Sequence, residues 1–98
     1  MSLPKKGITK LIEECSELIQ IACKISENPD IRHYSSSHQC TYKAWLENEL
    51  ADVIAICQYV TKTLDLDQDW INDRIESKRK KYDNWKNRTA PIIRENIE

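Results

Sequence analysis

The sequence predicts an all-α fold, a helical bundle of three to four helices per chain that oligomerisation completes. Three observations carry this. One glycine, three prolines and no phenylalanine leave little turn and strand chemistry for a sheet. Long stretches of Leu, Ile, Ala, Glu and Lys repeat their apolar residues at helical spacing. Finally, a chain of 98 residues buries only roughly 60 to 65% of its unfolded surface, so its thin core makes self-association an expectation.

The elements follow in order. Over residues 4–27, Ile8, Leu11, Ile12, Cys15, Leu18, Ile19 and Ala22 recur with helical period, and "ENPD" stops the pattern. Residues 28–41, "NPDIRHYSSSHQCT", are polar and aperiodic and predict a loop long enough to serve a function, for instance as a polar lid carrying His33, His38 and Cys40. A second helix over 41–64 carries a near-heptad seam of Leu46, Leu50, Val53, Cys57, Val60 and Leu64. "LDLDQD" then supplies a turn with an Asp N-cap for a third helix over 69–86, where Ile71, Ile75, Tyr82 and Trp85 share a face. The short turn implies antiparallel neighbours. Residues 87–98 read as a short helix or a tail, so the chain is taken as one domain with its core at about 5–86.

Composition narrows the function classes. Fifteen basic and sixteen acidic residues give a net charge of −1, with no global attraction to nucleic acid or anionic lipid. No run of apolar residues is long enough to span a bilayer and the N-terminus lacks a signal-peptide core, so neither membrane nor secretion is expected and the location is read as cytoplasmic. The cysteines at 15, 23, 40 and 57 have no CxxC spacing. In a reducing compartment they read as small buried hydrophobes.

The second helix poses a problem. On a helical wheel Glu47, Ala51, Gln58 and Lys62 lie opposite the seam, yet Glu49 and Asp52 share a third arc with Trp45, Ile56 and Tyr59. The first helix repeats this, with Glu14 and Glu17 on the same side as Ile21, away from the main stripe. Residues three apart on a helix stand on one face. Two helices therefore each offer a carboxylate pair beside apolar surface, where repulsion and desolvation call for a cation. An all-oxygen donor set suits Mg²⁺, with Mn²⁺ as a substitute, whereas zinc would want His or Cys. Glu13 and Glu47 point toward solvent. The competing reading is a non-catalytic helical oligomerisation and interaction module whose acids pair with a partner's cations.

"EECSEL" at 13–18 and "ENELADV" at 47–53 resemble the two halves of the ExxE…ExxD signature of the MazG-like family, over roughly residues 8–85. The resemblance implies an all-α nucleoside triphosphate pyrophosphohydrolase that works as a dimer or dimer of dimers. It would convert an NTP or dNTP to the monophosphate and pyrophosphate with Mg²⁺. Glu14, Glu17, Glu49 and Asp52 then hold metal, with catalysis placed on Glu17, the general base, and Asp52. Lys78, whose stem can lie along Ile75 and Tyr82, and Lys81 are the expected phosphate contacts. Trp45, one turn before Glu49, is the expected stacking surface for a base.

Overall fold

The computed structural model describes the backbone over residues 2–97 and side chains over residues 5–85. The fold is mostly helical: α1 (Ser2–Glu27), a two-stranded hairpin of β1 (Tyr34–Ser35) and β2 (Cys40–Thr41), α2 (Tyr42–Thr63) and α3 (Gln68–Ile97). The chain divides into two compact units, 1–66 and 67–98. Among the described residues no helix is long and apolar enough to cross a membrane.

In the first unit α1 and α2 run antiparallel. Gly7 lies near Tyr59 and Val60, and Ile21 clusters with Tyr42 and Trp45. Ile21, fully buried, and Trp45, 4% exposed, form the centre of the core with Tyr42, and Leu18, Ile25, Cys40 and Leu46 pack around them. The expected main stripe of α1 is only partly right. Leu11, Cys15 and Leu18 are half-buried, but Ile12 and Ile19 stay 65% and 61% exposed, and the off-stripe Ile21 is the most buried residue. The seam of α2 behaves likewise: Val60 is buried, while Leu50 and Cys57 are exposed. The reason is geometric. Each helix is apolar around more than half its circumference, and one neighbour covers a single arc. The same fact corrects the expectation for the cysteines, since Cys23 and Cys57 are exposed, Cys15 and Cys40 half-buried, and all four are free thiols.

The 28–41 segment is more ordered than a polar loop. Tyr34 pairs with Thr41 and Ser35 with Cys40 across an antiparallel hairpin whose last turn residue, Gln39, has φ 56°. The segment also satisfies the N-terminus of α2. Tyr42 N–H donates to the His33 carbonyl and Lys43 N–H to the Ile31 carbonyl, each at 2.8 Å, and the Thr41 hydroxyl accepts from Ala44 N–H at 3.2 Å. Thr41 is thus the N-cap, and the helix start is tied to the preceding loop.

At the other end of α2, Leu66 N–H donates to the Thr61 carbonyl and Asp65 N–H to the Lys62 carbonyl, with Asp65 at φ 53°. This is a Schellman cap with aspartate where glycine costs least. Asp65→Gly is expected to stabilise the chain by about 1 kcal/mol and to raise Tm by about 4–8 °C. A lower Tm in a thermal scan would contradict this account of the cap.

In the second unit, Asp67 caps α3 by accepting the Trp70 N–H at 3.0 Å, as the Asp-rich turn predicts. Arg79 grips Glu76 through Nε at 3.1 Å and also reaches Asp83 at 3.8 Å. The Arg79 hydrogen bond holds the Glu76 carboxyl below its usual range. Tyr82 and Trp85 place their rings 4.9 Å apart. The expected end of this helix near residue 86 is corrected: α3 continues to Ile97. A proline within a helix removes one hydrogen-bonded rung and kinks the backbone without always ending the helix.

Candidate metal centre

Two helices position the acids. Glu14 and Glu17 stand three apart on α1, and Glu49 faces them from α2, where Trp45 in the core sets the helix rotation. One carboxylate oxygen from each of Glu14, Glu17 and Glu49 lies within 4.8 Å of the others, and all three residues are half-buried. Glu49 Oε1 is buried with no hydrogen-bond partner. A buried carboxylate oxygen facing two further carboxylates is unfavourable unless a proton or cation compensates it.

The electrostatics express that conflict. The Glu14 side chain is only 14% exposed. A hydrogen bond shared with Glu17 holds its carboxyl above the ordinary 4.5, desolvation adds to the rise, and the charges of Asp52 and Glu17 push the same way. Lys10 opposes them, with Nζ 3.8 Å from Glu14 Oε2 and 3.1 Å from Glu13 Oε1. Among the described residues, Glu14 is the one member of the Glu14, Glu17, Glu49 and Asp52 set with a cation at ion-pair distance.

The structure therefore brings three of the four sequence-derived ligands together. Asp52 is exposed and lies outside the group of three, although its charge acts on Glu14. Three residues advance a helix by about 300°, so Asp52 is rotated some 60° from Glu49, and its side chain is one methylene shorter. Glu13 and Glu47 point to solvent as expected and pair with Lys10 and Lys43.

The other expected site residues fall elsewhere. Trp45 is a core residue whose ring face is covered by His38, at a centroid distance of 3.5 Å and 19° between planes. It offers no free surface to a base in this arrangement. His33 lies against Tyr42 at 4.9 Å, so the loop histidines belong to aromatic packing. Among the described residues the grouping with metal-ligand spacing is the carboxylate one, without His33, His38 or Cys40. Lys78, half-buried, and Lys81, exposed, both stand on the α3 unit. No protein-family model matches the chain, and no curated protein or solved structure matches it either.

The oxygen-only donors and the orphaned Glu49 oxygen fit a hard divalent cation such as Mg²⁺ or Mn²⁺ better than zinc. The sequence places Lys10 one helical turn before Glu14 and on its side of α1, where it reads as a solvated charge; the structure brings its ammonium to 3.8 Å from the Glu14 carboxylate.

Proposed function

We propose that this chain is a MazG-like, Mg²⁺-dependent nucleoside triphosphate pyrophosphohydrolase that converts an NTP or dNTP to the monophosphate and pyrophosphate. The observation that carries the reading is the convergence of Glu14, Glu17 and Glu49 within 4.8 Å, together with a buried Glu49 oxygen that has no hydrogen-bond partner. Glu14, Glu17 and Glu49 would hold the ion, with Asp52 at its edge. When bound, Mg²⁺ neutralises the carboxylates and the phosphate oxygens and stabilises the charge that develops at phosphorus.

The chain's own residues have separable tasks. Glu17 accepts the proton of the attacking water as its oxygen bonds to phosphorus and the bridge between α- and β-phosphates breaks. Asp52, exposed beside the group of three, has room to meet substrate from solvent.

Two measurements test the proposal. Mg²⁺ at about 100 times its dissociation constant is expected to stabilise the fold by about 2.7 kcal/mol relative to EDTA, a Tm rise of roughly 10 °C or more for a chain of this size. A panel of nucleoside and deoxynucleoside triphosphates with Mg²⁺ is expected to yield pyrophosphate from at least one. Silence in both assays would refute the enzyme.

The exposed Ile12, Ile19 and Ile54 support assembly with further copies of the chain, since α1 and α2 leave these apolar faces uncovered within their unit. Ile19→Glu or Ile54→Glu is expected to shift sedimentation equilibrium toward monomer, and an unchanged mass would exclude these faces from the interface. The same faces favour the second reading, a non-catalytic oligomerisation module. An assembly whose stability ignores Mg²⁺ and whose preparation releases no pyrophosphate would be that module.

A further inference from the structure

The acids divide the α1 and α2 contact into two sides of different character. Toward the C-terminus of α1 and the N-terminus of α2 the surface is closed: Ile21, Tyr42 and Trp45 are buried, and His38 lies flat on the Trp45 ring. In the other direction a groove of about 380 Å³ opens, lined by Lys6, Gly7, Lys10, Ile56 and Tyr59. The sequence order explains the continuity. Lys10 and Lys6 lie one and two turns before Glu14 on α1, while Ile56 and Tyr59 lie one and two turns after Asp52 on α2.

The groove sets two lysines beside apolar and aromatic side chains. Gly7 is buried against α2, and a Cβ there would sit 3.4 Å from the Tyr59 ring. Tyr59 is 45% exposed, whereas Trp45 is buried. At the boundary between groove and acids stands Lys10, whose ammonium divides its contacts between Glu13 and Glu14. An ammonium at that position is within reach of a phosphate chain that runs from the groove to the acids.

We infer that the nucleoside end of the substrate lies in this groove, its base stacked on Tyr59 and its phosphate chain passing Lys10 toward the acids, with Lys6 alongside. The inference rests on the metal-dependent reading above and goes beyond it by assigning the direction in which substrate lies and the residues that hold it. It also explains why an aromatic residue shares an arc with the acids: the ring is a platform tolerant of different bases, selected less by hydrogen bonds than by stacking.

The test uses the full chain and the four α,β-imido deoxynucleoside triphosphates, with inorganic tripolyphosphate as a probe lacking a base, by calorimetric titration in Mg²⁺. Tyr59→Ala is expected to weaken the imido-nucleotides about tenfold or more, with Tyr59→Phe and all tripolyphosphate affinities staying within about twofold of the unsubstituted chain. Lys10→Met is expected to weaken nucleotide and tripolyphosphate alike. The Mg²⁺-dependent rise in Tm, measured on every variant, reports fold and metal binding independently. A Tyr59→Ala chain that keeps this rise and binds nucleotide as tightly as before overturns the groove assignment, as does an unsubstituted chain that takes Mg²⁺ but none of the four analogues. No Mg²⁺ effect on the unsubstituted chain would instead refute the reading beneath it.

Discussion

Glu49→Gln is expected to lower Mg²⁺-dependent pyrophosphate release by about 10²- to 10³-fold and, in EDTA, to raise the melting temperature by a few degrees. The two effects have one cause. Glu49 Oε1 is buried without a hydrogen-bond partner, and one carboxylate oxygen of Glu49 lies within 4.8 Å of one from each of Glu14 and Glu17. Without a cation its charge opposes folding, so an isosteric neutral amide that can donate to a neighbouring carboxylate relieves the strain. On the proposed reading the same charge serves as a ligand once a cation binds, so its loss is expected to remove binding and catalysis together. Opposite signs for stability and activity are hard to obtain from a residue that only packs. Glu17→Gln and Asp52→Asn are expected to lose activity with the helical content intact. Full activity in both would mean that the carboxylates have been assigned to the wrong chemistry.

Trp45→Ala carries the second large effect, on folding. The side chain is 4% exposed at the centre of a core shared with Ile21 and Tyr42, and truncating a buried tryptophan costs about 3–5 kcal/mol. Small domains have only about 5–15 kcal/mol in total, so the variant should melt more than about 10 °C lower or unfold outright. Were Trp45 instead a stacking surface for substrate, the alanine variant would keep its melting temperature and lose only nucleotide affinity. Chemical denaturation followed by circular dichroism separates the two outcomes. His38→Ala, which uncovers one ring face, should cost much less.

How much of this was legible from residues alone depends on the scale of the interaction. The three helices were legible because period, caps and stops act over neighbouring residues: "ENPD" ends α1, Thr41 caps α2 and Asp67 caps α3. The hairpin within residues 28–41 was hidden, because its strands are two residues each and carry no alternation. The reach of α3 to Ile97 was hidden behind Pro91, which reads locally as a stop. For the site, the pairing of Glu14 with Glu17 and the presence of Glu49 on an apolar arc followed from the wheel. That Asp52 stands apart from the other three did not, since a wheel records direction without reach. Nor did the different burial of the two aromatics: Trp45 and Tyr59 share one arc of α2, yet one is buried and the other is exposed.

By itself the sequence determined where the helices begin, which faces are apolar, and that acidic side chains interrupt those faces on two of them, all properties of a chain and its immediate neighbours. Only the tertiary structure decided which of several apolar arcs became the α1 and α2 contact, and with it the company each acid keeps. A helix wrapped in apolar residues offers more surface than one neighbour can cover. The choice among its arcs rests on contacts between residues far apart in the chain: Ile21 against Trp45, and Gly7 against Val60.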